Sequence, residues 1–249
     1  DTLYGIESVA LSNGTFSLSD LLNPSISTNT ATNGVTISSA VSFDMTDLDL
    51  SRLYNYAWQW GLLDNSNLTY NGIQYEDVFV VDWFMDNTYY GSVFGGSGMS
   101  VDSNGVINGG TATGYLETVW DGSTYVPVFA IENISVDAMD IWDAAETTSL
   151  VDDDALLASL LSGNDTFNGS SYADTLLGFD GNDTFYASTG NDLIHGGKDL
   201  DTYDISSLSL SDLSITAITD GYQIQSSSYG TDTLYGIESV ALSNGTFSL

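Results

Sequence analysis

Residues 161–205 read LSGNDTFNGSSYADTLLGFDGNDTFYASTGNDLIHGGKDLDTYDI, and within them an aspartate returns every nine positions, at Asp165, Asp174, Asp183, Asp192 and Asp201. Two residues after each aspartate stands a large apolar side chain: Phe167, Leu176, Phe185, Ile194 and Tyr203. Glycine fills the intervening positions at Gly163, Gly169, Gly178, Gly181, Gly190, Gly196 and Gly197, where a backbone must turn sharply or present its carbonyls. A six-residue turn followed by a three-residue strand makes half a coil, so two nonapeptides close one coil and residues eighteen apart stack. The spacing predicts a parallel β-roll, with Phe167, Phe185 and Tyr203 on one sheet and Leu176 and Ile194 on the other.

The same stacking brings the carboxylate pairs Asp165/Asp183, Asp174/Asp192 and Asp183/Asp201 onto successive turns. Stacked aspartates repel, and a hard cation held by carboxylate and carbonyl oxygens removes the repulsion. The predicted ligand set for Ca²⁺ is therefore the five aspartates, Asp180 and Asp199 in the turns, and the turn residues Gly163, Asn164, Gly181, Asn182, Gly190 and Asn191. The repeats are degenerate: Tyr172-Ala173, Ala187-Ser188 and Asp199 stand where the repeat's glycines are expected. Two to four ions follow, and without them the segment should not stay folded.

Composition agrees. The chain has 34 Asp+Glu against two basic residues, Arg52 and Lys198, for a net charge of -32. That excludes nucleic acid and anionic membrane as default partners, since both need a positive face. Yet 42% of residues are hydrophobic and 12% aromatic, so this is a folded chain rather than an acidic tail. Cysteine is absent, which leaves packing and bound ions to hold the fold. No apolar run approaches the ~20 residues that span a bilayer, so no membrane insertion is expected.

Residues 1–18, DTLYGIESVALSNGTFSL, recur letter for letter at 232–249. An identical copy with no drift is the mark of a tandem array, of which this chain is one period plus its overlap. The expected organisation is a cap segment of the preceding repeat at 1–22, a small polar linker at 23–36, an antiparallel β domain with short helices at 37–160, the calcium-binding roll at 161–205 and its cap at 206–249. In the third of these segments Leu50, Leu53, Tyr54, Ala57 and Trp58 share a helical face, predicting a helix near 47–60. Hairpin signals lie at Asn71-Gly72, Asn104-Gly105 and Asp121-Gly122, with a further turn expected at 95–98, and EDVFVVDWF reads as a buried strand. Helices are expected at 136–146 and 152–161, the latter with Asp152 to Asp154 at its positive end. The fold class is thus mostly β: a parallel roll with cap strands, preceded by an antiparallel sheet carrying a few short helices.

The nonapeptides resemble the GGxGxDxUx repeats of the RTX (repeats-in-toxin) calcium-binding proteins, over 161–249 and again at 1–22. That resemblance implies type I secretion, folding outside the cell in ~mM calcium, and, for tandem modules, a place in surface adhesins, fibres or surface layers. Residues 105–161 are similar to secreted haem-binding proteins with a sheet-and-helix domain; no histidine occurs before residue 195, so only a fold hint carries over. The function expected is a calcium-stabilised structural repeat whose partners are neighbouring copies of itself. The alternative is an adhesive module in which Trp58, Trp60, Trp83 and Trp120, with Tyr89 and Tyr90, form a platform for glycans or a cell surface. Nucleophile-elbow, phosphate-loop and HExxH patterns are absent, so no catalytic residue is assigned and the chain is not read as an enzyme.

Overall fold

The computed structural model describes residues 34–249, together with the backbone of two short strands, Ser8–Leu11 (β1) and Gly14–Ser17 (β2), which pair antiparallel. The described chain divides into two units: residues 49–156, and residues 34–48 joined with 157–249. Strand Thr36–Ser39 (β3) belongs to the second unit.

The first unit opens with a short helix, Ser51–Asn55 (α1), and then Ala57–Leu63 (β4), a hairpin of Leu68–Tyr70 (β5) and Ile73–Tyr75 (β6), and three further long strands after Asp77–Met85 (β7). These are Thr88–Val101 (β8), Ile107–Trp120 (β9) and Tyr125–Asp137 (β10), followed by helix Ala138–Ala145 (α2). Helix Leu150–Leu160 (α3) follows, with Asp152 and Asp153 in its first turn. The antiparallel order is β4-β7-β8-β9-β10. Strand β7 is buried from Asp77 to Trp83 because both faces of the sheet are covered. On one side Val78 and Val80 join Leu63, Tyr70, Tyr75, Val93, Leu116 and Tyr125 under the β5–β6 hairpin. On the other, Trp142 of α2 meets Tyr54, Trp60 and Phe79 edge to face at 5.7, 6.0 and 6.4 Å.

Two expectations fail here for physical reasons. The helix predicted near 47–60 stops at Asn55, and Ala57–Leu63 is a strand whose register runs from Ala57↔Trp83 to Leu63↔Val78. Ladder pairing with β7, reinforced by Gln59 Nε2 donating to Asp82 Oδ2 at 2.6 Å, overrides the helical spacing. The turn expected at 95–98 is absent: β8 runs through it with a bulge at Gly98, φ +62°. Gly95 and Gly114 lie opposite each other, and a Cβ on either would strike the Tyr75 ring, so these glycines make room for an aromatic side chain. The other hairpins hold, with Asn71 at φ +47° and Gly72 at φ +83°. Helix α2 begins after the expected Ser135, capped by Asp137, which accepts from the Met139 N–H at 2.9 Å.

The second unit is the roll. Thr166–Asn168 (β11), Thr175–Leu177 (β12), Thr184–Tyr186 (β13), Leu193–His195 (β14) and Thr202–Asp204 (β15) alternate between two parallel sheets. Registers Phe167↔Phe185↔Tyr203 and Leu176↔Ile194 are those the nine-residue spacing predicts. A hairpin of Leu213–Ile218 (β16) and Gly221–Ser226 (β17) then interrupts the coil before Gly230–Tyr235 (β18), Ser239–Leu242 (β19) and Gly245–Ser248 (β20). The roll reaches beyond 161–205 at both ends. Strand β3 lies parallel on β11, and β18 and β19 lie parallel on β14 and β15, so Ile37, Val240 and Leu234 continue the interior columns. Of the expected linker at 23–36, residues 23–33 lie outside the described residues and 34–36 form the first coil.

Phe167 and Phe185 are fully buried and stack at 4.4 Å with planes 12° apart. Phe185→Ala should cost about 3–5 kcal/mol, read as a lowered urea midpoint with unchanged slope in saturating calcium.

Candidate metal centre

Along one edge of the roll each aspartate reaches back one coil. Val35 N–H donates to Asp165 Oδ1 at 2.7 Å, Asp165 N–H to Asp183 Oδ1 at 2.8 Å, Asp183 N–H to Asp201 Oδ1 at 2.8 Å, and Asp201 N–H to Glu238 Oε2 at 2.8 Å. The opposite edge repeats the pattern: Phe43 N–H to Asp174 Oδ1 at 2.7 Å, Asp174 N–H to Asp192 Oδ1 and Asp192 N–H to Asp232 Oδ1, both at 3.0 Å. All five predicted aspartates are 3% exposed or less. Asp232 and Glu238 occupy equivalent positions and were missed by the spacing because the β16–β17 hairpin breaks the period. Their signal was present: Asp232-Thr233-Leu234 copies Asp174-Thr175-Leu176.

One oxygen per carboxylate is accounted for by this ladder. The second, Oδ2, has no hydrogen-bond partner on Asp165, Asp183 and Asp201, although it is buried. A Cβ on Gly178 would meet Asp183 Oδ2 and the Gly196 carbonyl, and a Cβ on Gly196 would meet Asp201 Oδ2 and the Gly236 carbonyl. Bare carboxylate oxygens beside backbone carbonyls are the donor set a hard cation takes. Among the described residues no three Asp, Glu, His or Cys side chains converge on one point, so such an ion would rest on single or paired carboxylates completed by carbonyls. When bound, Ca²⁺ supplies the positive charge that this column of acids lacks.

The remaining predicted residues separate into different roles. Asn164 Oδ1 accepts from the Asn182 N–H at 2.9 Å, Asn182 Oδ1 from the Leu200 N–H at 3.0 Å, and Asn191 Oδ1 from the Thr231 N–H at 2.9 Å. Their side chains tie coil to coil. Gly181 and Gly190, at φ +123° and +143°, let the Gly163 and Tyr172 carbonyls pass directly beneath. Asp180 lies outside the buried column, in an exposed ion pair with Lys198 at 2.8 Å, a contact of small energetic weight. Asp199, also exposed, takes a left-handed turn at φ +74°.

The tryptophans do not form one platform. Trp83 is 2% exposed, stacked on Tyr90 at 4.1 Å and donating its indole N–H to Ser92 Oγ. Trp60 packs on Trp142 and Trp120 on Tyr125. Trp58, 39% exposed, is the outward-facing member, and Tyr54, Tyr56 and Phe84 are exposed as well.

A coil whose turns hand buried aspartates to the preceding turn, with free carboxylate oxygens among glycine carbonyls, defines a β-roll of the calcium-binding class. Residues 161–194 and 177–204 match the RTX calcium-binding nonapeptide repeat (4 copies), so this part of the chain carries RTX repeats. Among solved structures the chain is similar to the extracellular lipase LipA from Serratia marcescens, at 26% identity over 32% of this chain and 13% of that one, with a TM-score of 0.31. The chain therefore spans about an eighth of that lipase. No curated protein matches the chain. Among the described residues no helix is long and apolar enough to cross a membrane.

Burial raises the carboxyl pKa values along the roll, to about 8 at Asp183, about 7 at Asp192 and about 6 at Asp201, with neighbouring acids adding to the shift. A folded pKa above the unfolded value means the metal-free fold binds more protons than the unfolded chain; its stability is present below about pH 4 and is lost as pH rises through 6 to 8. In excess chelator the melting temperature of the roll should fall between pH 5 and pH 8, and millimolar calcium should flatten that slope, both read by circular dichroism.

Proposed function

We propose that the chain is a calcium-stiffened structural repeat of a long secreted protein, serving as an adhesin extender or as the unit of a self-assembling surface fibre, with neighbouring copies of itself as partners. The observation that carries this reading is the recurrence of residues 1–18 at 232–249. In the second copy these residues close the roll: β18 and β19 continue its two sheets and β20 folds back on β19. In the first copy β1 and β2 pair in the same register, Ser8↔Ser17 matching Ser239↔Ser248. A unit that closes with one sequence and meets that sequence again is suited to head-to-tail repetition.

Charge supports the extracellular setting. At a net charge of -32, a calcium-poor compartment keeps the roll's carboxylates repelling one another and opposes compaction, whereas ~mM calcium outside the cell permits it. A secreted chain of this kind folds after export.

A second reading, attachment to a glycan or cell surface, is favoured by the exposed Tyr54, Tyr56, Trp58 and Phe84 of the first unit. Loss of retention on a polysaccharide column in Trp58→Ala would support it.

A protein of three consecutive copies, viewed by negative-stain electron microscopy, should form extended threads or ordered filaments in millimolar calcium and collapse or flex in chelator. Single threads would assign the extender role, and lateral or end-to-end filaments the fibre role. Identical particles under both conditions would remove the reading.

A further inference from the structure

The two edges of the roll are built from the same nonapeptide, yet they treat the second carboxylate oxygen differently. On the edge of Asp165, Asp183 and Asp201, that oxygen has no partner on any of the three, and the carboxylates are 3%, 1% and 0% exposed. On the other edge it is satisfied from within. Asp174 Oδ2 accepts from the Ser170 N–H at 2.6 Å and from Ser170 Oγ at 3.0 Å, and Asp192 Oδ2 accepts from Ser188 Oγ at 2.8 Å. Asp232 Oδ2 accepts from the Tyr203 hydroxyl, which reaches it across the interior.

The cause is one position in the repeat, four residues before each aspartate. It holds Leu161, Phe179 and Gly197 on the first edge, none able to donate from a side chain, and Ser170 and Ser188 on the second. The space between coils differs accordingly. Beside Gly178 and Gly196 it is bounded by a free carboxylate oxygen and a carbonyl, whereas beside Gly169 the Ser188 hydroxyl stands over Asp174. A hydroxyl already donating to a carboxylate competes with a cation for that oxygen, and the ion would have to displace it.

We propose that calcium loads one edge of this roll only, through Asp165, Asp183 and Asp201, and that Ser170, Ser188 and Tyr203 close the opposite edge with hydrogen bonds. The three free oxygens set a ceiling of three ions. The inference rests on the reading of the roll as calcium-stiffened. It makes the module a one-sided calcium device, with metal-dependent cohesion along one edge and metal-independent cohesion along the other.

Native mass spectrometry of the full chain in millimolar calcium acetate counts the ions directly, with circular dichroism reporting folding of each variant. One to three ions are expected in the unaltered chain, fewer in Asp183→Asn, an unchanged count in Asp174→Asn, and one more in Ser188→Gly, where removal of the hydroxyl frees Asp192. The last variant gains a site, so it answers even where an aspartate variant fails to fold. Four or more ions in the unaltered chain, or loss of an ion in Asp174→Asn, would overturn one-sided loading while leaving the calcium-stiffened reading intact. A count of zero would overturn both.

Discussion

The roll depends on one hydrogen bond repeated eighteen residues apart: the backbone N–H of each aspartate donates to the carboxylate of the aspartate one coil further on. A short parallel strand of three residues carries too few ladder bonds to fix its neighbour, and the side-chain bond supplies the register that the strands alone lack. Its cost is a column of buried acids. Each carboxylate that serves the ladder leaves water, and burial opposes its ionised form. The glycines follow from the same demand, since successive turns must approach until carbonyl and α-carbon touch, as at Gly181 over Gly163. The aromatic column of Phe167, Phe185 and Tyr203 fills the interior that this spacing leaves.

The first unit solves burial without that ladder. Its sheet is covered on both faces, by the Tyr70 and Tyr75 hairpin on one side and Trp142 on the other. It nevertheless meets the same shortage of cations. Two basic residues serve the whole chain, so its interior acids turn to neutral donors. Asp77 accepts from the Asn65 and Met99 N–H groups at 2.9 and 2.8 Å, and Glu117 from the Tyr115 hydroxyl at 2.7 Å. Asp82, raised to about 6 by burial, leans on Gln59. Both units therefore handle acidity by hydrogen bonding, and both leave buried carboxylate oxygens over, on Asp82, Glu132, Asp152 and Asp153 in the first and on Asp165, Asp183 and Asp201 in the second.

Much of this was legible in the amino-acid sequence. The nine-residue period placed five aspartates and five interior side chains in their observed columns, because a repeated geometry writes itself as a repeated spacing. The roll's first coil was illegible for a related reason. The lowest coil donates backbone N–H groups from Val35 and Phe43 and contributes no carboxylate, so any side chain serves and no motif marks it. Strand β4 was misread because its pairing with β7 is a long-range event that local helical spacing cannot report. Trp83 looked available for binding only because a tryptophan's exposure depends on partners such as Tyr90 that periodicity does not reveal.

The hairpin of β16 and β17 enters the coil after β15, and the coil resumes at β18 with Asp232 meeting Asp192 as though nothing had intervened. Register here is held by bonds between coils rather than by chain length within one. A turn of the roll is thus a grafting point: a segment spliced there can fold onto the open edge of the sheet, as β17 does on β18, while the coils beneath stay in step. Diversity among such modules can accumulate at those turns, leaving the load-carrying column untouched.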